Sequence, residues 1–80
     1  MERRKLKILY TLDTGKDAYG GRHITVVFVD DEEQRYIWCT TTKTKAYIEL
    51  VKDGLNDVTF NVQYVMNGGD IKIERLTVNH

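Results

Sequence analysis

Asn56 to Met66 is the cleanest alternation in the chain: Val58, Phe60, Val62, Tyr64 and Met66 take one face, and Thr59, Asn61 and Gln63 the other. Side chains recur every 3.6 residues on a helix but alternate on a strand, so this stretch reads as a strand with one buried face. The same period opens the chain. Leu6, Ile8, Tyr10 and Leu12 point one way and Lys5, Lys7, Thr11 and Asp13 the other, with Leu9 the exception. Residues 22–29 are dense in β-branched types and residues 34–41 resume the pattern, which adds two further strands. The last strand carries Ile71 and Ile73 in one phase, Leu76 and Val78 in the other, and such a flip around Glu74-Arg75 marks a bulge.

The connections follow from turn chemistry. Thr14 to Gly21 is rich in turn formers and ends in Gly20-Gly21, and Asn67-Gly68-Gly69 tolerates the positive φ of a tight hairpin. Asp30, Asp31, Glu32 and Glu33 repel one another and belong on a solvated hairpin tip. Only one segment changes period. Ala46, Tyr47, Leu50 and Val51 share one side of a helix, with Thr42 as its N-cap and Gly54 at its end. Residues 47–51 also read as a strand.

Eighty residues make one domain, and no proline interrupts the strands. The order strand, strand, strand, helix, strand, strand predicts a mainly β fold. Specifically, it fits a five-stranded antiparallel barrel of the OB type with one short helix between strands 3 and 4. A core this small contributes only about 3–5 kcal/mol of net stability, so most apolar residues are structural.

Several chemistries are excluded or poorly served. Cys39 is the single cysteine, so neither an internal disulfide nor a cysteine metal cluster forms, and a reducing interior is expected. There is no serine nucleophile, His80 is terminal, and His23 reads as a surface residue entering a strand. The acidic run lacks the spaced ligands and glycine of a calcium loop, and Gly15-Lys16 lacks the Ser or Thr of a phosphate loop. The expectation is therefore no enzyme, no metal and no cofactor. Lys7 and Asp13 break the apolar start before it reaches a signal-peptide core of about 7–15 residues. No run approaches the roughly 18 apolar residues of a membrane span, which points to a cytoplasmic chain without membrane contact.

The stretch Phe28 to Trp38 reads aromatic, Asp, acidic turn, then Tyr-x-Trp-x-Thr. Val58 to Val78 places Tyr64, Gly68-Gly69 and Arg75-Leu76 in a closing hairpin. Together, over residues 24–78, these segments resemble small OB-like proteins of phage and mobile elements. Here Glu33 stands where those proteins have a glycine and Gln63 where they have a lysine. The resemblance implies an OB fold with a habit of binding single-stranded nucleic acid or forming oligomers.

Twelve basic and twelve acidic residues leave no net charge, so the chain is no globally basic binder, but a locally basic face remains open. Single-strand binders combine cations that follow phosphates with rings on which bases stack. Tyr36 and Trp38 share one face of the third strand, with Arg35 at its start and Lys72 and Arg75 on the last strand. Arg3, Arg4, Lys5 and Lys7 form a basic patch expected to lie apart from the acidic tip. These residues are the candidate site for single-stranded DNA or RNA. Hairpin register decides the matter. Phe28 opposite Tyr36 turns the rings inward and Ile37 and Cys39 outward, whereas Phe28 opposite Ile37 leaves Tyr36 and Trp38 outside as a platform. The competing expectation is a protein-binding or self-associating module, whose interface salt would barely weaken.

Overall fold

The computed structural model describes residues 2–52 and 58–79. Five strands and one helix follow one another: β1 (Glu2–Lys16), β2 (Arg22–Val29), β3 (Arg35–Thr41), α1 (Lys45–Lys52), β4 (Val58–Asn67) and β5 (Asp70–Asn79). Gly54 and His80 lie outside the described residues, as does the side chain of Phe60.

The strands form one mixed sheet in the order β1-β2-β3-β5-β4. β1 pairs with β4 over Glu2–Leu6 and with β2 from Lys7 to Lys16, so the ladder returns to its start. The expected all-antiparallel arrangement is not what forms. β3 and β5 pair in parallel, through Tyr36–Ile71, Ile37–Lys72 and Trp38–Ile73. Parallel neighbours need a crossover connection, and α1 with β4 supplies it. This seam of three residue pairs is the shortest in the sheet.

Register shifts reset the side-chain phase at three places, after Ile8 and after Asp13 in β1 and between Ile73 and Arg75 in β5. β1 is longer than its apolar pattern predicts, reaching Lys16 instead of giving way to a loop at Thr14. Its register against β2 slips between Ile8 and Tyr10, which leaves Leu9 as the extra residue. Leu6 is therefore buried and Ile8 partly so, while Tyr10 and Leu12 turn outward instead of continuing the core face. In β5 the register jumps from Ile73 opposite Tyr64 to Arg75 opposite Gln63, so Glu74 is the extra residue. Ile71, Ile73, Leu76 and Val78 are all buried as a result, as the phase flip in the sequence requires.

The core fills the space inside this ring. Ile24, Val26 and Phe28 of β2 face Tyr36 and Trp38 of β3, and Leu50 of α1 is fully enclosed against them. Phe28 and Trp38 sit 6.4 Å apart between ring centres, and Tyr36 meets Tyr64 edge to face at 6.1 Å. The helix starts later than expected. Thr44, not Thr42, caps it by accepting the Tyr47 amide on Oγ1. Thr42 instead ties the β3–α1 connection to β2, its hydroxyl accepting the Arg22 amide and its own amide bonding the Arg22 carbonyl. Ala46 and Tyr47 pack on the core, whereas Ile48 and Val51 face solvent.

At the β2–β3 tip Glu33 adopts φ 64°, the left-handed conformation that glycine takes without strain. Replacing Glu33 with glycine relieves this and is expected to stabilise the fold by about 0.5–1 kcal/mol. A urea unfolding midpoint at or below that of the wild type would refute that expectation.

Candidate functional site

β2 and β3 pair with Phe28 opposite Tyr36, Val27 opposite Ile37 and Val26 opposite Trp38. This register turns the rings of Tyr36 and Trp38 into the core, where they are 1% and 6% exposed. Neither ring offers a stacking surface. The platform expected from them does not exist, and Ile37 and Cys39 occupy the outer face in their place.

A hydrogen-bonded latch locks that register. The Tyr36 hydroxyl donates to Asp30 Oδ2 at 2.9 Å, while Asp30 Oδ1 accepts the Glu32 and Gln34 amides at 2.9 and 3.0 Å. Burial and the bond to Asp30 push the Tyr36 phenol up to about 12. Partial burial works to raise the Asp30 carboxyl, but the bonds from Gln34, Tyr36 and Glu32 outweigh it and hold Asp30 below its ordinary range. Arg4 Nη2 donates to the Tyr64 hydroxyl at 3.3 Å, joining β1 to β4 beside this latch.

Residues opposite one another across a ladder share a face. The outer row therefore runs Tyr10, Val27, Ile37, Lys72, Val65 across all five strands. Tyr10 is 44% exposed, and Val27, flanked by Tyr10 and Ile37, is almost covered. The next row holds Leu12, Thr25 and Cys39, with Leu12 51% exposed. On the other side, Val29 lies between Lys7 and Arg35. Of the sequence-derived candidates, Lys7, Arg35 and Lys72 thus share this face. Arg75 lies beyond the β3–β5 seam, opposite Gln63.

The basic patch is not separate from the acidic tip. Pairing Lys7 with Val29 brings Lys5 alongside Asp30 and Asp31, where the two line a cavity of about 130 Å³ with Lys7. A second cavity places Arg4 and Lys5 against Asp30, Asp31 and Glu32. Positive charge at this end is therefore matched locally by carboxylates.

The opposite end of the face is built differently. The β1–β2 loop is held by Asp17, whose Oδ1 accepts the Tyr19 amide at 2.7 Å and the Gly21 amide at 2.8 Å. Those bonds, with Gly21 foremost, lower the Asp17 carboxyl below its ordinary range. Gly21 has no room for a side chain, since a Cβ there would lie 2.7 Å from Asp17 Oδ2 and 2.8 Å from Thr42 Oγ1. Tyr19 projects from this loop, 86% exposed. Asp13 is hydrogen-bonded and ion-paired with Arg22, and that contact leads the causes that lower its carboxyl. Tyr10, Tyr19 and Lys16 were not candidates on sequence. The doubled apolar pair Leu9-Tyr10 was the available signal for Tyr10, because one extra residue in an alternating strand reverses everything after it.

Among the described residues no group of three His, Cys, Asp or Glu side chains is placed to hold a metal, and no helix is long and apolar enough to cross a membrane. Comparison with family models, curated proteins and solved structures gives no match to this chain.

The Asp30–Tyr36 latch makes a stability prediction with a defined sign. The raised Tyr36 phenol contributes stability that is fully present below pH 10 and is lost between pH 10 and about 12, where unfolded phenols ionise first. The lowered Asp30 carboxyl contributes stability present above pH 3.8 and lost as the pH falls through its folded value. Tyr36→Phe is expected to cost roughly 1.5 kcal/mol at pH 7 and to flatten the alkaline part of the profile. Urea midpoints measured from pH 8 to pH 12 test this, and an unchanged alkaline slope would remove the latch from the account.

Proposed function

We propose that this chain is a non-enzymatic, OB-like module that binds single-stranded nucleic acid of low sequence specificity on the outer face of β1, β2 and β3. The strand order and the helix after β3 favour the OB comparison, since folds of that plan bind oligonucleotides across strands 2 and 3. The resemblance of residues 24–78 to small OB-like phage and mobile-element proteins points the same way.

One observation carries the reading: Tyr10 stands in solvent at the end of the row Tyr10, Val27, Ile37, Lys72. Tyr10 takes the stacking role that Tyr36 and Trp38, enclosed in the core, cannot fill, because a sequence-tolerant binder needs an accessible π-face. Lys72 lies in the same row, three strands from Tyr10, and Arg35 and Lys7 stand at its margin. The neutral whole-chain charge fits weak binding governed by local contacts.

The test is fluorescence anisotropy of a labelled 15-nucleotide single strand, DNA and RNA in separate titrations, at low and high salt. Binding is expected to weaken steeply as salt rises. Tyr10→Ala is expected to reduce affinity by about 5- to 150-fold, the equivalent of roughly 1–3 kcal/mol for a lost stack, while circular dichroism stays native. No binding at low salt by the folded protein would leave the apolar row to a protein partner or a second copy, whose association salt would barely change.

A further inference from the structure

Between the β1–β2 loop and the β3–α1 connection lies a groove of about 240 Å³, lined by Thr14, His23, Thr25, Cys39, Thr40 and Thr41. It adjoins the outer row, because Leu12, Thr25 and Cys39 sit one step along the strands from Tyr10, Val27 and Ile37. Its lining is hydroxyl-rich and carries no carboxylate. The nearest acids are already engaged: Asp13 by Arg22 and the Gly15 amide, Asp17 by two loop amides. The Lys43 stem lies against Gly21, which places its ammonium at this end, and Lys16 ends β1 opposite Arg22. Among the described residues Lys16 and Lys43 form no ion pair within 4.0 Å, although, after the Gly21 and Tyr19 amides, the Lys43 charge contributes to lowering the Asp17 carboxyl.

The two ends of the face thus differ in net charge. At the β2–β3 tip Asp30, Asp31, Glu32 and Glu33 offset Arg4, Lys5, Lys7 and Arg35. At the loop end Lys16, Arg22 and Lys43 outnumber Asp13 and Asp17. A polyanion crossing the outer face gains no net attraction at the first end and is attracted by the second.

We propose that the bound strand leaves Tyr10 toward the β1–β2 loop, its sugar–phosphate backbone lying in the threonine-lined groove with Lys16 and Lys43 on successive phosphates. Tyr19, held at the loop tip by the Asp17 bonds, stacks the next exposed base. The proposal rests on the nucleic-acid reading above and adds the path and its direction. It assigns phosphate contact to Lys16 and Lys43 in place of Lys5, which the acidic tip already occupies.

Labelled dT15 and rU15 are the probes, titrated against wild type, Lys16→Glu with Lys43→Glu, and Lys5→Glu. The double variant is expected to lose at least tenfold in affinity. The magnitude of its salt slope should fall by about 1.4, at roughly 0.7 for each phosphate contact on a single strand. Lys5→Glu is expected to leave the slope unchanged. Cys39, the single thiol and exposed in the groove, supplies an independent readout, since saturating oligonucleotide should slow its alkylation by iodoacetamide. If the double variant keeps wild-type affinity and slope, or Cys39 alkylates at an unchanged rate, the path is overturned while a Tyr10→Ala defect preserves the parent reading. If wild type binds neither probe at low salt, the parent reading fails and the path fails with it.

Discussion

Phe28 stands opposite Tyr36, and the Asp30 carboxylate holds the Tyr36 hydroxyl at the end of the same hairpin. A one-residue slip of β3 would bring Ile37 and Cys39 inward and put both Tyr36 and Trp38 into water. Large aromatic side chains removed from a core typically cost about 3–5 kcal/mol each, comparable with the whole net stability of a domain this size. The slipped register is therefore not a competing fold. Asp30 adds direction to that preference. Its three accepted hydrogen bonds need the tip residues Glu32 and Gln34 and the strand residue Tyr36 at fixed spacing, so the turn and the core specify the same alignment. The outer face is set at the same stroke, because enclosing Tyr36 and Trp38 leaves Val27, Ile37 and Cys39 as the outer surface.

Bulges decide how the remaining strands share that surface. In β5 the change of phase from Ile73 to Leu76 is written in the sequence, since no regular strand can bury both pairs, and Glu74 is the charged residue that steps out. In β1 the signal is present but less decisive. Leu9 is as apolar as its neighbours, so the alternation appeared to continue through Tyr10 and Leu12 with one irregularity. Burial of Leu6 inside the ring and pairing of Tyr10 with Val27 outside it require the extra residue. An apolar bulge residue leaves the hydrophobic pattern almost intact while reversing its meaning, whereas a charged one announces itself.

Local pattern thus reached the elements and most of the core, and stopped at relations between distant segments. Thr44 and Thr42 are equally good capping residues by type, and only the tie from Thr42 to Arg22 separates their roles. The parallel β3–β5 seam joins residues 35 positions apart, and nothing in either strand's alternation distinguishes a parallel neighbour from an antiparallel one. Charges were the least legible. Lys5 and Lys7 look like a basic arm until the β1–β2 register sets them against Asp30 and Asp31, more than twenty residues later in the chain. Whether a lysine is available to a ligand depends on which carboxylates lie near it, a property of the folded surface.

The neutral composition conceals an uneven distribution of charge along the face. Cations and anions are equal in number over the chain, yet the acids of the β2–β3 tip gather at one end while those of the loop end are consumed by Arg22 and by loop amides. A hydrogen-bonded carboxylate still carries its charge, but part of its acceptor capacity is taken, which weakens its competition with a phosphate for a lysine. Apolar contact at Tyr10 and Leu12 lies between the two ends and is indifferent to salt, which allows weak attraction from few cations to be supplemented by stacking. A domain too small to give up core aromatics can still present a ring to a ligand if a bulge turns a strand outward. The Leu9 bulge turns Tyr10 outward without removing any residue from the Phe28, Tyr36 and Trp38 cluster.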